Sequence, residues 1–339
     1  MGESQVSPVR VMIVDDSPIV LSVLRKVFDS TDGIQVVGAF HDPKEALEKL
    51  RIMDVDVICC DYYMKGLNGL EFVRIVMQKS PKPILIMSAG IENSDQVVRL
   101  LDAGAIDVLQ KPLLNDVQSY QQMKIVQKIR VLSGVKPITR RMRLEFRTSP
   151  ERRAVPQIIA IGASTGGPQA LGDVLIQLPP NYRVPILCIQ HISVGFLDGL
   201  VHWLDQRSKV RVRIAKDNER LEKNTVYFVP EGFHGIVESN MILKLARPAE
   251  SDIYCPSINT TFCSIAENIG ASSIAILLTG MGDDGALGLR AIRDQQGSTI
   301  TQSEESCIIY GMPKAAVDLS ASEKSLNPSQ IGQYLLQFA

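Results

Sequence analysis

The sequence lacks any marked excess of charge, any long apolar run and any apolar leader. Its 36 lysine and arginine residues nearly balance its 37 aspartate and glutamate residues, which leaves a net charge of -1. A surface that binds nucleic acid or an anionic membrane usually carries a strong positive excess. No apolar run approaches the ~20 residues of a membrane span, and the first residues, MGESQVSPVR, contain no signal-peptide core. These absences predict a cytoplasmic protein that binds no nucleic acid and does not insert into a membrane.

Zinc-binding and disulfide patterns are missing as well. None of the six cysteines belongs to a C-x-x-C pair, and Cys59, Cys60 and Cys188 lie inside apolar runs. We therefore expect reduced cysteines packed in the core. What the sequence does have is size, because 339 residues with a hydrophobic fraction of 45% are enough for two globular domains.

The first domain is predicted over residues 1–131. Strand and helix patterns alternate five times there, with strands at 9–14, 34–39, 55–60, 83–88 and 106–109 and helices at 17–29, 42–51, 68–79, 92–103 and 114–131. Such alternation is typical of an α/β fold in which helices cover both faces of a doubly wound parallel sheet. In this fold, binding groups gather at the carboxyl ends of the strands.

Polar side chains stand at the carboxyl ends of four of these predicted strands. Asp15 and Asp16 follow the first strand, Asp61 follows the third, Ser88 ends the fourth and Lys111 lies just beyond the fifth. Three carboxylates at one edge repel one another unless a cation lies among them, and an oxygen-only ligand set suits Mg²⁺. Asp61 is then the candidate nucleophile toward a phosphoryl group, with the lysine offsetting charge and the serine donating a hydrogen bond. Each residue taken alone is equally typical of a solvated loop.

Together, these residues make 9–131 resemble a response-regulator receiver domain, which has a flavodoxin-like fold. The segment DYYMKGLNG at 61–69 matches the family motif that follows the phospho-accepting aspartate. The resemblance implies that Asp61 is phosphorylated by a histidine kinase and that Mg²⁺ is bound by Asp15, Asp16, Asp61 and the backbone carbonyl of Tyr63. It also implies switch roles for Ser88 and Lys111.

Two positions depart from the receiver pattern. Lys65 stands where the family motif has proline, and Val108 stands where the aromatic switch residue is expected. Both departures bear on how phosphorylation is transmitted.

Residues 132–154 are predicted to link two domains. The stretch from 136 to 153 contains seven lysine and arginine residues but only two glutamates. This composition is typical of a solvated, flexible tether, and a docking segment for an acidic partner is the alternative.

The second domain is predicted over residues 155–339. Strands are expected at 156–161, 184–190, 210–214, 225–229, 273–279 and 298–302, and helices at 168–178, 196–207, 257–269, 285–294 and 329–338, with a hairpin near 234–246. This pattern indicates a second doubly wound α/β domain.

Ser164 lies in the segment IIAIGASTGGP at 158–168, which combines a buried strand, a glycine turn and the start of a helix. The positive end of the helix dipole at that turn suits a developing oxyanion. The segment also fits G-x-S-x-G, the turn that carries the nucleophile in many hydrolases. A simple turn or helix-cap serine is the alternative.

A nucleophilic serine needs a base and an orienting carboxylate. His191 ends a predicted strand and is the first candidate for the base; His234, in a turn, is the second, whereas His202 lies within a predicted helix. The carboxylate is expected from Asp283 or Asp284, which follow strand 273–279, and a helix-capping role is the alternative for either.

The same turn, GMGDDG at 280–285, matches the G-x-G-x-x-G dinucleotide fingerprint. A dinucleotide-binding site is nevertheless disfavoured. Two carboxylates in the turn would repel the pyrophosphate of a dinucleotide, and such a site would leave Ser164 and His191 unexplained.

Residues 156–320 resemble the catalytic domain of the chemotaxis protein-glutamate methylesterases, the CheB family, with a Rossmann-like α/β/α fold. The matching motifs are IGASTGGP at 161–168, QH at 190–191, LTGMGDDGA at 278–286 and YGMP at 310–313. The resemblance assigns Ser164 as nucleophile, His191 as base and Asp284 as the third member, and the N–H groups near Thr165 and Met281 are candidates for the oxyanion hole. Departures are Asn259, where the family usually has aspartate, and a proline-free segment at 192–194.

The resemblance implies a serine hydrolase that demethylates glutamate methyl esters on methyl-accepting chemoreceptors and also deamidates glutamines. Its esterase chemistry needs no cofactor, and phosphorylation by the chemotaxis histidine kinase would relieve a block on the Ser164 edge. A monomer is expected. The alternative function is a non-catalytic, phosphorylation-dependent adaptor of the receptor array.

Overall fold

The computed structural model describes residues 7–88, 94–111, 120–135 and 155–339. The chain divides into two compact units, residues 1–140 and 141–339. The predicted linker, 132–154, falls outside the described residues from 136 onward, as do the first residues of the helices predicted at 92–103 and 114–131. The predicted domain limits therefore stay a prediction.

Within its described residues, the first unit has a five-stranded sheet and five helices. Its strands are β1 (Val9–Val14), β2 (Ile34–Phe40), β3 (Val57–Asp61), β4 (Ile84–Ser88) and β5 (Asp107–Gln110), and its helices are α1 (Pro18–Asp29), α2 (Pro43–Lys49), α3 (Gly69–Lys79), α4 (Ser94–Ala103) and α5 (Tyr120–Leu132). The strands are parallel in the order β2-β1-β3-β4-β5. This is the doubly wound arrangement that the alternating pattern predicted.

Burial and capping explain these elements. Every residue of β3 and of β4 is buried, as expected for apolar strands that helices cover on both faces. Helix α3 starts with a capping box in which Asn68 and Glu71 each accept a hydrogen bond from the other's backbone N–H. Because all strands run the same way, the residues that end or follow β1, β3, β4 and β5 meet at one edge.

The second unit contains a seven-stranded parallel sheet in the order β15-β14-β13-β6-β7-β10-β8 and a separate antiparallel sheet, β11-β12-β9. The strands are β6 (Ile158–Ala163), β7 (Ile186–Gln190), β8 (Arg211–Ile214), β9 (Glu219–Arg220), β10 (Thr225–Phe228), β11 (His234–Val237), β12 (Ile242–Ala246), β13 (Ser273–Leu277), β14 (Ser298–Gln302) and β15 (Lys324–Leu326). The helices are α6 (Gly167–Leu175), α7 (Leu197–Arg207), α8 (Ile258–Asn268), α9 (Ala286–Asp294), α10 (Met312–Asp318) and α11 (Pro328–Leu335).

Strand β6 is the centre of this sheet and is completely buried. It pairs with β13 on one side and with β7 on the other, and Ala163 lies opposite Gln190. A Cβ at Gly162 would lie 2.5 Å from Ile258 Cγ2, so only glycine lets α8 approach β6 this closely. The close approach brings the start of α8 to the carboxyl edge of the sheet.

The predicted fold class is confirmed by this architecture, whereas several short elements were missed, among them two strands and one helix. Strand β15 has three residues and no apolar run, β9 has two, and α10 is a seven-residue helix that opens on the motif GMP. Such short elements form because neighbouring strands and helices support them, which local patterns do not reveal. The expectation of core cysteines was wrong for Cys255, which is exposed in the loop before α8; all six cysteines are free.

None of the helices within the described ranges combines the length and apolarity that a membrane crossing requires.

Two leucines of α9 provide a matched test of the packing. Leu289 is completely buried, whereas Leu287, two residues earlier, is 64% exposed. We expect Leu289→Ala to lower the free energy of unfolding by about 2–5 kcal/mol through lost burial and a residual cavity, and Leu287→Ala to change it by less than about 0.5 kcal/mol. Urea unfolding followed by the fluorescence of Trp203, the chain's one tryptophan, reports on this unit alone. Equal effects of the two substitutions would contradict the packing.

Candidate functional site

Ser164 directly follows β6, in a tight turn ahead of α6. Its backbone N–H donates to Thr279 O at 3.1 Å, and its carbonyl accepts from Gly167 N at 2.8 Å. Gly166 precedes α6 with a φ of 78°, a left-handed conformation that favours glycine. The turn thus presents Ser164 at the carboxyl edge of the sheet, beside the N-terminus of a helix.

His191 follows β7, the strand next to β6. Its N–H donates to Ala163 O at 2.9 Å, one residue before the serine. The buried side chain of Gln190 donates from Nε2 to the carbonyls of Ser164 at 2.8 Å and of His191 at 2.9 Å. Gln190 therefore ties the two turns together. From the sequence, Gln190 was noticed only as part of the motif QH and its role was missed, since no local pattern predicts a contact across strands.

Asp284 lies in the turn between β13 and α9, and its buried carboxylate meets His191 at a distance of 2.9 Å between Oδ2 and Nε2. The same carboxylate accepts hydrogen bonds from the start of α8: from Ile258 N at 2.7 Å, Asn259 N at 2.9 Å and Ser257 Oγ at 3.2 Å. A helix N-terminus is a favourable place for a negative charge, because free N–H groups and the positive end of the helix dipole face it.

This environment keeps Asp284 ionised. Burial alone would raise the pKa of its carboxyl group, but the hydrogen bond and charge of His191 and the N–H donors of Asn259 and Ile258 outweigh burial. The pKa is held below its ordinary value.

The contact also assigns the tautomer of the histidine. An ionised carboxylate only accepts hydrogen bonds, so Nε2 of His191 carries the proton that Asp284 accepts, which leaves Nδ1 as the nitrogen available to act as a base. Within the described part of the chain, no hydrogen bond joins Ser164 Oγ to the ring. Catalytic hydrogen bonds commonly form only when substrate is bound.

The other histidines of this unit are engaged elsewhere. Nδ1 of the buried His234 accepts from Ser257 N at 3.1 Å, and its Nε2 lies 3.0 Å from Asp252 Oδ2. His202 is exposed on α7, with Nε2 2.8 Å from Gln206 Nε2. Of the three candidates, His191 is the one in contact with Asp284, which favours it as the base.

The two predicted oxyanion-hole residues lie in turns at the same edge. Thr165 follows the serine, is buried and accepts a hydrogen bond from Thr279 Oγ1 at 3.1 Å through its carbonyl. Met281 follows Gly280, whose own N–H donates to Ile309 O at 3.1 Å. A Cβ at Gly280 would lie 2.6 Å from Ser164 Cβ, so this turn packs directly on the serine. The use of these two N–H groups for an oxyanion stays a prediction.

The first unit carries a separate cluster at its own carboxyl edge. One carboxylate oxygen from each of Asp15, Asp16 and Asp61 lies within 4.8 Å of the others. Lys111 Nζ is 2.7 Å from Asp15 Oδ2 and 2.9 Å from Asp61 Oδ2. Ser88 ends β4 and is fully buried.

Burial and charge set the protonation of this cluster. Burial, reinforced by the charge of Asp15, raises the pKa of Asp61 despite the nearby ammonium group. Burial would lower the pKa of Lys111, but the carboxylates of Asp15 and Asp61 outweigh it and raise that pKa, so the lysine stays charged.

The carboxylates fit a hard divalent cation. One lysine cannot neutralise three carboxylates, and Asp61 Oδ1 is buried without a hydrogen-bond partner among the described residues. Carboxylate oxygens within 4.8 Å of one another are hard ligands of the kind that binds Mg²⁺. Tyr63, whose carbonyl is the fourth predicted ligand, lies two residues after Asp61, and its hydroxyl donates to Gln96 Oε1 at 3.0 Å.

The structure also shows where the two residues that depart from the receiver pattern lie. Val108 is buried in β5 and is too small to act as an aromatic switch. Lys65 is exposed, and its backbone N–H donates to Asp16 Oδ2 at 3.3 Å. Asn259, the departure in the second unit, donates its N–H to Asp284 and accepts from Gly288 N through Oδ1 at 2.8 Å.

Both units are similar to known proteins. Residues 159–335 match the family model described as CheB methylesterase, and residues 11–120 match that of the response regulator receiver domain. The protein-glutamate methylesterase/protein-glutamine glutaminase 3 of Myxococcus xanthus is 36% identical over 97% of this chain and 94% of the relative. The enzyme numbered 2 of that name from Methanospirillum hungatei is 36% identical over 96% of this chain and 97% of the relative. The crystal structure of the Thermotoga maritima CheB methylesterase catalytic domain shares 31% identity, covers 55% of this chain and 100% of that one, and has a TM-score of 0.52.

The charge of Asp284 should be visible in the pH dependence of stability. We expect Asp284→Asn to lower the free energy of unfolding at pH 7 by about 1–3 kcal/mol, since charged hydrogen bonds are lost. Because the folded pKa lies below the unfolded value of about 3.9, the difference from wild type should persist down to roughly pH 4 and shrink below it. Urea unfolding followed by Trp203 fluorescence between pH 7 and pH 3 measures this. Asp283→Asn, at the exposed neighbouring residue, is the control. A difference in the free energy of unfolding between wild type and Asp284→Asn that does not change with pH would contradict the ionised state of Asp284.

Proposed function

Because the chain belongs to the CheB methylesterase family, we propose that it hydrolyses the methyl esters of glutamate side chains on chemoreceptors. Ser164 is the nucleophile, His191 the general base and acid, and Asp284 the carboxylate that orients the imidazole. The observation that carries this proposal is the contact between His191 and Asp284, formed at the sheet edge where Ser164 follows the adjacent strand.

The reaction follows from these positions. As Ser164 Oγ attacks the ester carbonyl carbon, its proton passes to Nδ1 of His191, and Asp284 stabilises the imidazolium through Nε2–H. The tetrahedral intermediate places its negative charge on the former carbonyl oxygen, where the N–H groups of Thr165 and Met281 are the candidate donors. When the carbon–oxygen bond to the methoxy group breaks, the imidazolium returns the proton and methanol leaves. Water then hydrolyses the acyl-enzyme by the same route and releases glutamate.

Deamidation of glutamine belongs to the same proposal. The curated relatives carry both activities in their names, and an amide carbonyl passes through the same acyl-enzyme. The chemical difference is the leaving group: the imidazolium protonates the departing amide nitrogen, which leaves as ammonia, instead of the methoxy oxygen, which leaves as methanol.

We further propose that the receiver domain controls the esterase. Asp61 accepts a phosphoryl group from the chemotaxis histidine kinase, while Lys111 and Ser88 contact the phosphoryl oxygens. Asp15, Asp16, Asp61 and the carbonyl of Tyr63 would hold Mg²⁺, which would supply positive charge against the transferred group. We also propose that the protein is located in the cytoplasm and is a monomer.

The first test is methanol release from methylated receptor. We expect Ser164→Ala to lower the turnover number by roughly 10⁴- to 10⁶-fold, since the nucleophile is lost. Ser325→Ala, at an exposed serine of the edge strand β15, is the matched control and should keep wild-type activity. If wild type releases no methanol, the hydrolase proposal fails and the non-catalytic adaptor becomes the better explanation.

A second test addresses phosphorylation. With acetyl phosphate and Mg²⁺ present, methanol release should rise for wild type, whereas Asp61→Asn should keep basal activity and lose this rise because it has no phosphorylatable carboxylate. Asp54→Asn, at an exposed carboxylate just before β3, should respond like wild type. Removing divalent ions with EDTA should abolish the rise and spare basal hydrolysis. Activation of Asp61→Asn to the wild-type level would overturn the regulatory proposal.

A further inference from the structure

Tyr254 contacts the proposed catalytic base and has no role in the reaction as described above. Its ring stacks on the imidazole of His191, with centroids 5.0 Å apart and an angle of 3° between the ring planes. The hydrogen bond to Asp284 fixes one ring atom, and rotation about that bond would still tilt the plane. The stacked tyrosine ring restrains this remaining motion.

The other end of Tyr254 reaches the turn that carries Asp284. A Cβ built on Gly282 would lie 2.7 Å from Tyr254 Oη, so the hydroxyl group packs against the backbone of that turn. Tyr254 thus spans the histidine and the 280–285 turn.

The residues around Tyr254 are anchored on both sides. Before it, Asp252 accepts a hydrogen bond from Ala249 N at 2.8 Å and lies 3.0 Å from His234. After it, Ser257 donates its N–H to His234 Nδ1 and its hydroxyl to Asp284. His234 therefore contacts both ends of the segment 252–257, and these contacts fix the segment that carries Tyr254.

We propose that Tyr254 is a positioning residue of the esterase reaction. Its ring holds the imidazole plane while Nδ1 exchanges a proton with Ser164. Its electron-rich face also stabilises the imidazolium that forms during attack, because cations are attracted to the faces of aromatic rings. This inference rests on the proposed function, since it assigns Tyr254 to a reaction in which His191 is the base.

The kinetic test compares Tyr254→Leu with Tyr254→Phe. We expect Tyr254→Leu to lower the turnover number by about 10- to 100-fold with little change in KM, because the histidine is misplaced while ester binding is kept. Tyr254→Phe keeps the ring and should stay within about threefold of wild type. A raised KM at an unchanged turnover number would make Tyr254 a substrate contact and would overturn the proposal. An inactive wild-type enzyme would instead refute the proposed function.

A nuclear magnetic resonance experiment gives a readout independent of activity. With labelled histidine, of which the chain has four, the ring protons of His191 should be shifted upfield by the tyrosine ring in wild type and Tyr254→Phe. They should move downfield in Tyr254→Leu, and His191→Gln assigns the signal. His202, on α7 and bonded to Gln206, should keep its position in all variants. Trp203 fluorescence verifies that each variant is folded, and an unmoved His191 signal in folded Tyr254→Leu would overturn the inference.

Discussion

The proposed active site depends on one buried carboxylate. Asp284 accepts hydrogen bonds from His191 and from the N-terminus of α8, and these contacts outweigh burial and keep it ionised. The ionised group in turn fixes the protonated nitrogen of His191. The position of α8 is set by Gly162, where any side chain would push the helix away from β6. A close approach of helix and strand is therefore the physical basis of the site's electrostatics.

The receiver unit also buries carboxylates at a sheet edge, but there burial outweighs the stabilising contacts of Asp61. There, parallel strands bring Asp15, Asp16 and Asp61 together. Ser17, the residue before α1, donates its N–H to Asp15 Oδ1 at 3.0 Å, and the Lys111 ammonium group contacts Asp15 and Asp61. Burial raises the pKa of Asp61, and a divalent ion would supply the positive charge that the cluster still lacks. The same parallel-sheet geometry thus places the hydrolytic chemistry proposed for one unit, and the phosphoryl chemistry proposed for the other, at the edge where strands end.

Much of the fold could be predicted from the sequence. The alternation of apolar strands and amphipathic helices is confirmed in both units, because strands buried on both faces require continuous apolar runs. The class of site was predictable for the same reason, since parallel strands end at one edge and place Ser164 and His191 there. Elements such as β15 and α10 could not be predicted. A strand of three residues and a helix of seven carry too little local pattern, and both depend on neighbouring elements for support.

The sequence by itself determined which elements form and which polar residues end the strands, because both follow from local periodicity and turn chemistry. Only the tertiary structure decided which histidine meets Asp284, leaving His234 to hold the loop that presents Tyr254. It also brought Gln190 to the two turns and placed Tyr254 against His191. These contacts join residues that are far apart in the chain, and sequence spacing carries no information about them because helix packing and strand order bring them together.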